Sequence, residues 1–199
     1  AQPGIHPLSA HSLPLPHTVG QRAEIREMPA DAEKGGSPMA SNAQPPFWGK
    51  ILRSGAQGPD VALVQTWLNG IRARWGVIRK LKVDGRYGSS TATAVKTFQR
   101  LDGIRDDGAV GLTTWDRLYT DFAALNGEGV VWCGITIQRG NTGATVQSAQ
   151  RRLKNLVPDL EIDGDYGPQT EEAVRAFQTV NGLTVDGKLG QDTWKVLYA

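Results

Sequence analysis

Two segments of the chain set out the same polar residues in the same order. VDGRYGSSTATAVKTFQ, starting at Val83, carries Asp84, Tyr87, Thr91 and Gln99. IDGDYGPQTEEAVRAFQ, starting at Ile162, carries Asp163, Tyr166, Thr170 and Gln178, each 79 residues later. An aromatic ring beside a carboxylate, a hydroxyl and a primary amide suits recognition. The ring can stack on a planar or sugar surface, and the other groups exchange hydrogen bonds with amides and hydroxyls. The same residues also have structural uses. Asp accepts backbone N–H bonds in a tight loop, Gly permits positive φ, and a Gln ending a helix can bond that loop.

Bond-breaking chemistry is less well supplied. Residues 47–199 contain no histidine, which removes Ser-His-Asp, Cys-His and histidine-bearing zinc sites from that stretch. Glu161, Asp163 and Asp165 alternate in the manner of calcium ligands, but the first copy has Lys82, Asp84 and Arg86 there. No metal and no cofactor is therefore expected. Two carboxylates could serve a glycosidase, yet every segment of 47–199 is already taken up by the duplication. The expectation is a protein that is not an enzyme.

The duplication also names the elements that must hold these residues. Asp84–Tyr119 aligns without gaps to Asp163–Tyr198, with 17 of 36 positions identical. Upstream the match continues at an offset of 85, through Gly49/Gly134, Gly55/Gly140, Gly58/Gly143, Val61/Val146, Gln65/Gln150 and Leu68/Leu153. Repeat 1 (47–119) thus carries six residues more than repeat 2 (132–199), within NGIRARWGVIRKLK, and 120–131 connects the two. Each repeat predicts three helices. Val61, Val64, Gln65 and Leu68 fall on one helix face, as do Thr91, Ala94, Val95 and Phe98. Ser89, Ser90, Thr113 and Asp192 are candidate caps, Pro168 suits a first turn, and Gly103 and Gly182 suit helix ends. Trp115/Trp194, Leu118/Leu197 and Tyr119/Tyr198 are assigned to the core.

Residues 1–46 differ in kind. They hold eight of the eleven prolines and all three histidines, with few apolar residues and no period. This reads as an extended arm without a core of its own, expected to be held by a protein partner. Charge is uneven as well. Residues 1–46 carry net −1, 47–119 net +6 and 120–199 net −3. The basic excess concentrates in the insertion, where Arg72, Arg74, Arg79, Lys80 and Lys82 surround Trp75. Such a patch can be a solvated loop or a site for anionic polymers; nucleic acid is not expected. No apolar run approaches the roughly 20 residues needed to span a bilayer. No signal-peptide pattern opens the chain, and Cys133 is the single cysteine.

The order of motif blocks, L-x-x-G-x-x-G-x-x-V, then (V/I)DG-x-YG-x-x-T-x-x-AV-x-x-FQ, then DG-x-x-G-x-x-T-W, occurs twice. It resembles the peptidoglycan-binding-like domain of bacterial wall hydrolases and phage lysins, over about three quarters of the chain. The resemblance implies an all-α fold of two tandem three-helix domains and a bacterial wall as partner. Asp84, Tyr87, Thr91 and Gln99, with Asp163, Tyr166, Thr170 and Gln178, then become candidate peptidoglycan-binding residues. Two copies imply avidity on a repeating polymer. The reading adopted is a non-catalytic wall binder, cell-surface or virion-borne, anchored by its arm; the alternatives are the targeting part of a lysin whose catalytic domain is elsewhere, or an architectural protein with degenerate repeats. The fold also resembles the propeptide of matrix metalloproteases, but Cys133 in VVWCGITI lacks that motif's Arg, Pro and Asp and reads as a packed small residue.

Overall fold

The computed structural model describes residues 44–199. The proline-rich arm therefore lies outside the described residues except for its last three positions. Repeat 1 folds as α1 (Pro59–Gly70), α2 (Ser89–Leu101) and α3 (Leu112–Asn126). Repeat 2 folds as α4 (Ala144–Leu153), α5 (Pro168–Val180) and α6 (Gln191–Leu197). The architecture is all-helical, as the apolar periodicity predicts. No strand forms among the described residues, and the isolated bridges recur at equivalent places. Leu52 pairs with Val110 and Gln57 with Arg86 in repeat 1; Ile137 pairs with Leu189 and Thr142 with Asp165 in repeat 2.

The helices end where expected but start differently. Gly103 and Gly182 take φ of 72° and 65°, just beyond α2 and α5. The next N–H groups, of Ile104 and Leu183, return to the carbonyls of Gln99 and Gln178, which closes each helix and requires a residue that tolerates the left-handed region. At the starts, glycines rather than the proposed serine, threonine or aspartate stand at the cap. Gly88, Gly111, Gly167 and Gly190 precede α2, α3, α5 and α6, with no side-chain cap. Ser89, Ser90, Thr113 and Asp192 fall inside the first turns.

Each repeat closes over a small core. In repeat 1, Trp67 meets Trp115 edge-on at 4.8 Å and Tyr119 at 5.6 Å, an arrangement favoured by the ring quadrupoles. In repeat 2 the position of Trp67 is Arg152, whose guanidinium lies 5.2 Å from the Tyr198 ring centre, and Trp194 packs against Trp132 and Tyr198. The third helix differs in length between the repeats. α6 is short, but α3 continues to Asn126 through residues read as connector, because Phe122 is buried against Gly70 at the end of α1. The arm's last residues dock on this helix: Gln44 Nε2 donates to Asp116 Oδ1 (3.0 Å) and Trp115 Nε1 to the Pro45 carbonyl (3.0 Å). Cys133 is buried, and burial pushes its thiol up to about 12, consistent with a packing residue.

The repeats share a sealed junction. Asp60, in the first turn of α1, accepts the N–H groups of Ala144 (2.8 Å) and Thr145 (2.9 Å) and the Thr145 hydroxyl (2.7 Å) at the start of α4. Asp60 and Thr145 are equivalent positions of the two repeats. Burial pushes the Asp60 carboxyl upward, and the three donors pull it back. Gly143 precedes α4 at φ 130°, and a Cβ there would collide with the Asp60 carboxylate.

Candidate functional site

The recurring polar residues of the two repeats are assembled by one local device. Gln65, on the inner face of α1, inserts its amide into the loop before α2. Its Nε2 donates to Asp84 Oδ1 (3.0 Å), the Arg86 carbonyl (3.1 Å) and Thr91 Oγ1 (3.2 Å). Its Oε1 accepts the N–H groups of Asp84 and Gly85, each at 3.0 Å. Gln150 repeats this with Asp163 (2.8 Å), the Asp165 carbonyl (2.9 Å) and Thr170 (3.0 Å), and accepts from Gly164 N–H (2.8 Å).

The device is then built a second time within each repeat. Gln99, at the end of α2, binds Asp107 (3.1 Å), the Ala109 carbonyl (2.9 Å) and Thr114 (3.1 Å), and accepts from Gly108 N–H (2.8 Å). Gln178 binds Asp186 (2.8 Å), the Lys188 carbonyl (3.0 Å) and Thr193 (3.1 Å), and accepts from Asp186 and Gly187 N–H. Four glutamine locks thus hold four D-G-x-x-G-x-x-T loops. All four glutamines and all four threonines are buried. A buried amide with every position bonded is stabilising, whereas an unmade bond there is costly.

This placement corrects the expected stacking site. Tyr87 and Tyr166 are 2% and 0% exposed, and their hydroxyls donate inward to the Gly108 and Gly187 carbonyls at 2.9 Å. Burial pushes both phenols well above their usual range. Neither ring offers a free face. Each ties one lock to the next, since Gly108 and Gly187 are the residues that Gln99 and Gln178 grip. Thr91, Thr170, Gln99 and Gln178 likewise spend their polar atoms internally. Only Asp84 and Asp163 among the eight candidates are exposed. The Gln65 amide holds the Asp84 carboxyl below its ordinary 3.8, and the Asp165 N–H does the same for Asp163.

What the locks present to solvent is a cleft, and it occurs in both repeats at equivalent positions. In repeat 1 a cleft of about 300 Å³ has Gln99, Asp107 and Thr114 at its floor and Ile51, Ile104, Arg105 and Leu112 around its mouth. In repeat 2 a cleft of about 440 Å³ has Gln178, Asp186 and Thr193 at its floor and Leu183, Lys188, Gln191 and Asp192 around it. The first mouth is apolar, with Ile51 57% and Leu112 48% exposed; the second is polar. Asp107 also faces Arg105 at 3.7 Å. Carboxylate, hydroxyl and apolar groups in a shallow cleft can hold amide- and hydroxyl-bearing ligands. The sequence signal for this site lies in DDGAVG and VDGKLG, which open the third block of the repeated motif.

The basic insertion is ordered rather than loose. A 3₁₀ turn (Ile71–Ala73) continues α1. Arg74 and the Trp75 indole both bond Asp121, at 2.7 and 2.8 Å, and Arg72 Nε donates to the Ile78 carbonyl at 3.1 Å. Arg72 and Arg74 are thus engaged within the fold, while Arg79, Lys80 and Lys82 are exposed.

Comparison with known proteins gives the architecture its relatives. The family model described as "Putative peptidoglycan binding domain" matches residues 57–118 and 142–197. N-acetylmuramoyl-L-alanine amidase CwlL of Bacillus licheniformis is 34% identical over 163 residues, covering 73% of this chain and 44% of that protein. Zinc D-Ala-D-Ala carboxypeptidase of Streptomyces albus G is 37% identical over 81 residues, covering 39% of this chain and 31% of the relative. The chain spans less than half the length of either. The crystal structure of the SleB N-terminal domain is similar at 30% identity with a TM-score of 0.33, covering 38% of this chain and 97% of that one. With a three-helix repeat built twice and a family match over more than half its length, the chain belongs to the peptidoglycan-binding domain family.

Proposed function

We propose that the protein is a non-catalytic wall binder whose two repeats hold peptidoglycan in the twin clefts beside the Gln99 and Gln178 locks, at the cell wall or on a larger assembly that its arm joins. The observation that carries this reading is the recurrence of one cleft at equivalent positions of both family matches. Glycan and stem peptide are rich in amides, hydroxyls and carboxylates, which the cleft groups complement. Asp84 and Asp163 stand exposed on the neighbouring locks.

The test is co-sedimentation with insoluble peptidoglycan. Gly111 and Gly190 line the clefts, have φ of −95° and −81°, and a Cβ at either meets nothing within 4 Å. Gly111→Gln and Gly190→Gln therefore fill the mouths at a cost of under about 1 kcal/mol each. The double variant is expected to lose most binding, and each single variant much less, because the remaining site still holds. A folded double variant that sediments like the wild type would remove the cleft assignment. A wild type that never sediments would remove wall binding itself. The purified protein is expected to leave wall turbidity unchanged; release of soluble muropeptides would overturn the non-catalytic part.

A second reading has one specific support. The two relatives named above are an amidase and a carboxypeptidase of which this chain matches less than half; on that footing the tandem is the targeting part of such a hydrolase. Recovery of the native protein at a mass that includes a catalytic domain would decide for it.

A further inference from the structure

Repeat 1 carries a second concavity, walled by the inserted loop that repeat 2 does not have. It encloses about 550 Å³ between that loop and the first turns of α2. Arg79 and Lys80 line one side, Ser89, Ser90 and Thr93 the other, with Val77 at the lip.

The wall of this cleft is fixed. Asn69 grips the backbone of Leu81 from both sides, accepting its N–H (2.8 Å) and donating to its carbonyl (3.0 Å). Arg72 holds the Ile78 carbonyl, and Ile78 and Leu81 are buried. The segment 78–81 is thereby pinned at both ends, and Arg79 and Lys80 project from it. Among the described residues neither has an ion-pair partner. The adjacent Lys82 lies beside Asp84 instead. No acidic residue lines the cleft, and the first turn of α2 has none, whereas the first turn of α5 has Glu171, paired to Arg175. Two unneutralised cations on a rigid wall, facing three hydroxyls, form a complement to an anionic oxygen group.

We propose that this cleft binds a phosphate or carboxylate group carried by a wall polymer, with Arg79 and Lys80 supplying the charge and Ser89, Ser90 and Thr93 the neutral donors. It rests on the wall-binding reading for its source of ligand, and it gives repeat 1 an anion preference that repeat 2 does not share.

The test uses the full chain and Arg79→Gln/Lys80→Gln, both exposed substitutions, with thermal melts to show that the fold is kept. Two wall preparations separate the sources: intact walls that retain phosphate-bearing polymers, and the same walls stripped of them by hydrofluoric acid. The variant is expected to bind roughly three- to tenfold more weakly, the range for losing two exposed charge contacts, with a flatter salt dependence. Weakening on both preparations assigns a peptidoglycan carboxylate; weakening on intact walls alone assigns phosphate. Unchanged binding on both overturns the proposal. A direct titration with inorganic phosphate and with acetate, followed by backbone amide NMR, is expected to shift Ser89, Ser90 and Arg79 in the wild type and not in the variant. No shift with either anion overturns the proposal even where wall binding holds. Shifts without sedimentation leave the anion cleft standing and remove the wall-binding reading instead.

Discussion

Tyr166 separates an inward-facing framework from a ligand-facing one. Its ring is fully buried and its hydroxyl donates to the Gly187 carbonyl. Tyr166→Phe keeps the ring and leaves that carbonyl without its phenol donor, a cost of about 1–2 kcal/mol for a buried group. Tyr166→Ala also empties the ring's volume, a cost of about 3–5 kcal/mol. For a folded unit of this size each kcal/mol lowers Tm by about 2–4 °C, so the two variants should melt about 2–8 °C and about 6–20 °C below the wild type. Calorimetry reads these shifts, and co-sedimentation well below each Tm reads binding by the folded fraction. The framework reasoning requires large shifts in Tm with little change in binding per folded molecule. A Tyr166→Ala variant that keeps the wild-type Tm and no longer binds wall would refute it, and would restore the tyrosine as a stacking residue.

Two further outcomes follow from the junction and the locks. Asp60→Ala leaves the Ala144 and Thr145 N–H groups without an acceptor, costing about 2–3 kcal/mol; calorimetry should show repeat 2 melting first, and a single unshifted transition would contradict the junction's role. Acid should weaken the fold below about pH 4. The carboxyls of Asp84, Asp107 and Asp163 are held below 3.8 by lock bonds, and at Asp186 the Gln178 amide and Lys188 N–H outweigh opposing burial. Their stabilisation is therefore present above the unfolded value and lost as pH falls through the lower folded values. Asp60 and Asp102, raised chiefly by burial, act in the opposite sense. Urea midpoints measured from pH 6 down to pH 2 check the balance, and a midpoint that rises on acidification would show that Asp60 and Asp102 dominate.

The helices and their core faces were legible because a 3.6-residue period and, after α2 and α5, a closing glycine are written locally. Val61, Val64 and Leu68 announce their face without reference to anything distant. The direction of the polar residues was not written locally. A tyrosine or glutamine beside a loop serves a ligand or the loop equally well, and only the folded loop shows its N–H groups turned toward Gln65. One signal could have settled it. The set Gln, Asp, Gly, Gly, Thr recurs at Gln99, Asp107, Gly108, Gly111 and Thr114, where the tyrosine's place is taken by Val110. A polar set that persists with and without its aromatic neighbour belongs to the scaffold. Asp60 illustrates the opposite limit. It reads as an ordinary acidic residue in a first turn, and its partners lie 84 and 85 residues away.

The junction at Asp60 gives the tandem a direction. α1 opens with Pro59, which has no N–H to satisfy, while α4 opens with Ala144 and takes its acceptor from the other repeat. The donor of that acceptor is the repeat made first. As the chain leaves the ribosome, the Asp60 carboxylate is made before the amides of α4 that it completes. Synthesis from N to C terminus thus meets a second repeat whose starting turn is completed by a template, and the two repeats are not interchangeable in order.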